Sequence, residues 1–138
     1  MILLISQKKI LDKIMCLEVN TQYKIAKEDI VCYKILEDYN GNLFSPYTLF
    51  RWDLNKCTKA EGKPFTTDFK GTKYIGIGYF HTFKNIIDAK KYLKLWPPLN
   101  HPIICECTIP KGTKYWEGLY DGYKGFASKN LIIESKLD

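Results

Sequence analysis

Apolar and polar residues alternate along Ile30–Leu36, where Val31, Tyr33 and Ile35 interleave with Cys32, Lys34 and Leu36. A period of two marks a strand. Asn40-Gly41 follows, a dipeptide suited to a tight hairpin turn, and Asn42–Ser45 reads as the return strand, stopped by Pro46. A second alternation runs over Pro102–Ile109, with Ile103, Cys105 and Cys107 on one face and Ile104 and Thr108 on the other. Leu17–Val19, Tyr74–Phe83, Lys114–Glu117 and Ser128–Glu134 read as further strands.

Helical spacing is rarer. Ser6 can cap a short helix over Gln7–Met15, with Ile10, Leu11 and Ile14 on one face. Thr82 or Asn85 opens a second helix, with Ile86, Ile87, Ala89, Lys90 and Leu93 read as one stripe and lysines on the other side, running to about Leu95 and ended by Trp96-Pro97-Pro98. Tyr47–Leu54 is an aromatic-rich stretch read as a strand or an irregular segment. Asn55–Lys73 is polar and broken by Gly62, Pro64 and Gly71, so it reads as the longest loop. Ala26–Asp29 reads as a polar connection, Pro110–Gly112 as a turn and Gly118–Gly125 as a second loop.

Strands and helices do not alternate regularly, which disfavours a doubly wound parallel sheet. The expectation is an α+β fold: a single domain over 1–138, mainly antiparallel sheet with one or two helices packed on it. Within it, 1–29 forms an N-terminal helix and strand segment, and 30–135 the sheet core.

Composition narrows the class. The chain has 138 residues, 46% of them hydrophobic and 26% charged. That suits one globular domain able to bury a core without disulfides. No apolar run approaches the ~18 residues that span a bilayer. Met1–Ser6 starts apolar but lacks a basic leader segment and a cleavage site, so it reads as part of the fold. The five cysteines (Cys16, Cys32, Cys57, Cys105, Cys107) match no disulfide framework and suit a reducing, cytoplasmic setting. Cys105-Glu-Cys107 lacks a second ligand pair, so no metal or other cofactor is expected, and the thiols read as small core residues.

The net charge of +6 comes almost wholly from Lys, with Arg51 the single Arg. An anionic partner fits that balance, as does an AT-rich coding sequence. Candidate chemistry is sparse. His81 is the best base, but no G-x-S-x-G elbow accompanies it, and its aromatic neighbours Phe80 and Phe83 favour a packed side chain. Gly76-Ile-Gly78 lacks the third glycine of a dinucleotide fingerprint, and Lys111-Gly112-Thr113 lacks the upstream glycine of a phosphate loop. Aromatic residues are abundant. Arg51-Trp52 and Lys114-Tyr115-Trp116 pair cations with rings, an arrangement that can stack bases and hold phosphates.

Three stretches carry a likeness to other proteins. They are Val31–Ile35 with Leu43–Tyr47, Gly78–Phe83 leading into Asp88-Ala89, and Ile109-Pro-Lys-Gly-Thr-Lys-Tyr-Trp-Glu-Gly118 with Phe126–Ser128. Over roughly Ile30 to Ile133 the chain resembles small uncharacterised proteins encoded by tailed phages and prophages of AT-rich bacteria. That resemblance implies an accessory protein of the host cytoplasm or the virion, with a counter-defence role among its uses. A looser similarity is to ADP-ribosyltransferase-type folds. It implies a nicotinamide dinucleotide held near Lys34, Ser45 and a late Glu134, though Tyr33-Lys34 stands where that family has Arg or His.

The leading expectation is a non-catalytic protein that binds an anionic ligand such as a nucleotide. The candidate residues are Lys34, Ser45, Arg51, Trp52, His81, Lys114, Tyr115 and Trp116. The alternatives are a virion or protein-interaction component, with a phage or host protein as partner, and a divergent ADP-ribosyltransferase-like enzyme. No membrane partner is expected.

Overall fold

The computed structural model describes residues 16–46, 50–61, 66–69, 71–76, 78–95 and 99–137. The expected helix over Gln7–Met15, the apolar Met1–Ser6, Tyr47, Gly62, Pro64 and the helix stop at Trp96-Pro97-Pro98 lie outside them.

The chain's longest alternating run becomes β3 (Ile30–Tyr39). It pairs antiparallel with β10 (Pro102–Ile109) in an unbroken register from Ile30↔Ile109 to Glu37↔Pro102. On its other edge β10 pairs with β13 (Asn130–Leu137), with a register shift between Glu106 and Cys107. The expected division of faces on β10 holds. Cys105, Cys107 and Ile109 join one core, with Ile103 packed against it, and Ile104 joins another. Cys32 lies directly opposite Cys107, and all three thiols are fully buried.

The Asn40-Gly41 turn forms as the sequence predicts. Both residues take left-handed backbone, with φ of 53° and 88°, and the Gly41 N–H donates to Asp38 Oδ1 at 2.9 Å. That turn returns the chain into β4 (Asn42–Phe44), which pairs with β5 (Arg51–Trp52). Leu43 and Trp52 from this hairpin seal the core that contains the thiols.

The sheet continues from β3 through β9 (Phe80–Phe83), β12 (Tyr123–Ser128), β11 (Lys114–Tyr120), β1 (Leu17–Val19) and β8 (Thr72–Ile75) to β7 (Thr66–Phe69). β2 (Lys24–Ile25) also pairs with β11, and β6 (Cys57–Lys59) closes the far edge on β13. The helix α1 (Ile86–Leu95) starts after Asn85, whose carbonyl accepts from the Ala89 N–H. It lays Ala89 and Tyr92 on the second core, among Phe83, Tyr120 and Ile75. No helix of the described residues is long and apolar enough to cross a membrane.

Several expectations are corrected. With a single helix among the described residues, the fold is closer to mainly β than to α+β. The supposed loop Asn55–Lys73 contains β6, β7 and the start of β8. These strands have only three or four residues each, too few to show an apolar alternation. Tyr74–Phe83 is not one strand. It divides at Gly76–Tyr79 into β8 and β9, which pair with different neighbours. The supposed loop Gly118–Gly125 is mostly sheet: β11 runs on to Tyr120 and turns at Asp121-Gly122, with φ of 48° and 89°.

Gly118 is needed for packing rather than for turning. A Cβ there would overlap the backbone carbonyl of Glu18, because β1 crosses β11 at that point. Backbone cannot move aside as a side-chain tip can. Gly118→Ala is therefore expected to destabilise the protein by about 2 kcal/mol or more, read as a lower urea midpoint. Gly41→Ala at an open turn should cost less, since no atom lies within 4 Å of the added carbon.

Candidate functional site

The eight candidate residues fall into two groups. The first gathers around β3, β5 and β9. Alternation puts Lys34 on the same side of β3 as Cys32 and Leu36. β9 meets β3 in a single pair, Tyr33↔Phe83. Just beyond it, the Lys34 ammonium donates to the His81 carbonyl at 2.8 Å. Its Nζ lies 5.8 Å from the centre of the Trp52 ring. Trp52 Nε1–H donates to Ser45 Oγ at 2.7 Å, and Phe50 and Phe80 pack edgewise on the indole at 4.9 and 4.7 Å. Burial pushes the Lys34 amine down to about 8, and no carboxylate pairs with it among the described residues. Arg51 points to solvent and bonds Asn42 Oδ1 at 3.1 Å.

Trp52 is only 3% exposed. Its faces are taken by Phe50, Phe80 and the core, so it presents no open ring to a base. Ser45 is occupied as the acceptor for that indole. Among the described residues no hydrogen bond or ion pair links Glu134 to Ser45 or Lys34.

His81 projects to the opposite face from Lys34. Its Nδ1 lies 2.6 Å from the Tyr120 hydroxyl and its Nε2 2.8 Å from the Gly76 carbonyl. Burial pushes the imidazole down to about 4, the Gly76 contact opposes that fall and the Lys34 charge adds to it. Both ring nitrogens are engaged, so this is a packed histidine and not a free base. Gly76 and Gly78 lie between β8 and β9, two strands with different neighbours, and no helix opens directly after them, unlike a dinucleotide loop. The Lys111 N–H is already bonded to Asp29 Oδ1 at 2.8 Å, an acidic acceptor where a phosphate loop would hold its ligand.

The second group forms where β2, β8 and β11 come together. Lys114 and Trp116 share one side of β11, and Tyr115 turns to the other, against Phe126 at 5.8 Å. Lys73 of β8 sits over the Trp116 ring at 4.7 Å. Tyr23 meets Trp116 edgewise at 5.9 Å, and Lys114 sits over the Tyr23 ring at 4.2 Å. The result is a ladder in the order Lys73, Trp116, Tyr23, Lys114. Neither ammonium has a carboxylate partner among the described residues. Tyr23 is 48% exposed, and Ile25 beside it is 52% exposed. Trp116 is buried, and its Nε1–H finds no acceptor among the described residues.

Sequence reasoning missed Tyr23 and Lys73. No local signal marks either, because the ladder is built across strands nearly a hundred residues apart and Lys73 sat in a stretch read as loop. On the reverse face of the same strands a shallow groove of about 270 Å³ is lined by Glu18, Lys24, Glu117 and Lys124, among others. There Glu117 already pairs with Lys24 at 3.8 Å and with Lys84 at 3.2 Å. The groove is thus charge-compensated where the ladder is not.

No protein-family model, curated protein or solved structure matches the chain.

Two outcomes follow from burial. A neutral His81 in the folded protein binds its proton less readily than the same ring in the unfolded chain. Its contribution is intact above pH 6.5 and is lost as the pH falls from 6.5 towards 4, by up to about 3 kcal/mol. Urea unfolding at both ends of that window should show the loss, and His81→Gln should abolish this component. The thiols give the second outcome. Burial pushes Cys32 up to about 12 and Cys105 to about 11, whereas Cys57 is exposed. Iodoacetamide should label Cys57 in the native protein and reach Cys32, Cys105 and Cys107 only after denaturation, as read by peptide mass spectrometry.

Proposed function

We propose that this protein binds, without turnover, an anionic ligand that carries an aromatic ring, and that a nucleotide is the leading class. The observation that carries the reading is the ladder of Lys73, Trp116, Tyr23 and Lys114. Two ammonium groups with no carboxylate partner among the described residues supply charge for a phosphate. The half-exposed Tyr23 ring supplies a stacking surface. The lack of turnover rests on the candidate reactive groups: His81 is engaged through both nitrogens, and the core thiols are held protonated by burial.

Lys114, Tyr115 and Trp116 fall inside the Ile109–Gly118 stretch that resembles phage proteins. A phage-type accessory role therefore goes with the same surface. One observation favours a protein partner instead. Ile87 and Leu95 on the outer side of α1 are 63% and 68% exposed among Lys90, Lys91 and Lys94, a face suited to an acidic partner.

The test is a calorimetric and thermal-shift panel of mononucleotides, cyclic dinucleotides and nicotinamide dinucleotide at ~150 mM salt. A ligand at 100 times its dissociation constant should add ~2.7 kcal/mol of stability. Lys114→Gln and Tyr23→Ala should each weaken binding about fivefold or more, while Arg51→Gln leaves it unchanged. A flat panel, or equal loss with Arg51→Gln, rejects the ladder as the site.

A further inference from the structure

Three contacts meet at one corner of the sheet. His81 Nε2 lies 2.8 Å from the Gly76 carbonyl, His81 Nδ1 lies 2.6 Å from the Tyr120 hydroxyl, and that hydroxyl lies 2.7 Å from the Phe126 carbonyl. Each contact needs one hydrogen. The two carbonyls can only accept. So Nε2 must donate to Gly76 and the hydroxyl must donate to Phe126. The middle contact can then be filled only from Nδ1. A ring that donates from both nitrogens is the imidazolium. With a neutral ring, two hydrogens serve three contacts.

The surroundings oppose the charge that the contacts invite. Lys34 of β3 brings a like charge to the His81 backbone, and the groups that act on Tyr120 are the phenol of Tyr92 on α1, the thiols of Cys32 and Cys16, and the Thr82 backbone of β9. No carboxylate among the described residues acts on the ring. The neutral ring must therefore give up one contact. The Nε2–H tautomer keeps Gly76, so the Tyr120 hydroxyl has to choose between Nδ1 and Phe126. Phe126 lies within the sheet, between Glu117 and Thr82, and a carbonyl tolerates losing one of two donors better than a ring nitrogen tolerates facing a lone pair.

We propose that His81 and Tyr120 form a proton-binding site in which the Tyr120 hydroxyl hydrogen is the moving part. When His81 is neutral that hydrogen points to Nδ1. When the ring takes up a proton, Nδ1–H donates to the hydroxyl, whose own hydrogen turns to Phe126, and the Nε2–H bond to Gly76 becomes charge-assisted. No covalent bond other than the new N–H forms, and the proton comes from solvent. The site joins the end of β8 at Gly76 to the end of β11 at Tyr120. Those are the strands that carry Lys73 and Trp116, so proton uptake bears on the spacing of the ladder.

Long-range 1H–15N NMR of the imidazoles and the Phe126 carbonyl 13C shift test this in the whole protein over pH ~3–8. His81 should show the Nε2–H tautomer when neutral and two protonated nitrogens when charged, with the Phe126 carbonyl shifting at the same midpoint. His101, whose side chain belongs to a different corner, serves as the internal control. Tyr120→Phe removes the movable hydrogen. It should lower the His81 midpoint by about half a unit or more and leave the Phe126 carbonyl flat. A neutral Nδ1–H tautomer, or a Phe126 carbonyl that ignores the His81 titration in the native protein, overturns the proposal. Those two readings come from the unmodified protein and decide the matter even if the variant fails to fold.

Discussion

The pairing of β3 with β10 is the constraint on which the rest of the structure depends. Both strands send residues into a core on each side, Cys32, Leu36, Cys105, Cys107 and Ile109 into one and Ile104, with Tyr33 and Ile35 against it, into the other, so both faces of their ribbon need cover. One face is covered by α1 and by the inward-curving strands β1, β8 and β11. The other is sealed by the β4–β5 hairpin, with Leu43 and Trp52 over the thiols. The two cores exist because one pair of strands demands cover twice.

That demand also explains where the charges end up. Lys34 lies on the apolar side of β3, and its ammonium reaches the His81 backbone oxygen, where β9 parts from β3. Its long stem packs and its head stays hydrogen-bonded, which is how a lysine survives in such a place. At the other end of the sheet, Lys73 and Lys114 emerge at the rim of the second core. They rest on Trp116 and Tyr23, whose rings attract cations without neutralising them. A cation held by a ring keeps its charge available to an anion. A cation held by a carboxylate, as at Glu117, does not. That contrast separates the ladder from the groove lined by Glu117.

Much of the architecture was legible in the residues themselves. Alternation marked β3 and β10 and assigned the faces of β10 correctly. Asn40-Gly41 marked its hairpin because few other pairs accept positive φ at both positions. Asn85 and the spacing of Ile86, Ala89 and Leu93 marked α1. The short strands were not legible. Two to four polar residues at an edge carry no periodic signal, and they become strands because a neighbour offers unpaired backbone groups. Gly118–Gly125 misled for a related reason. Its glycines signal a loop when read locally, but Gly118 and Gly125 are small because Glu18 and Tyr120 press against them.

By itself, then, the sequence determined the long central strands, the helix, the tight turn and the buried, reduced character of Cys105 and Cys107. Each of these rests on interactions within a few residues or on one face of one element. Only the tertiary structure decided which cations meet which rings, because Tyr23, Lys73, Lys114 and Trp116 come from two strands and a connecting segment far apart in the chain. It alone decided the fate of His81 as well. A ring flanked by Phe80 and Phe83 reads as packed, but its two partners, Gly76 and Tyr120, are set by the order of β8, β9 and β11 in the sheet, and no local pattern of residues encodes that order.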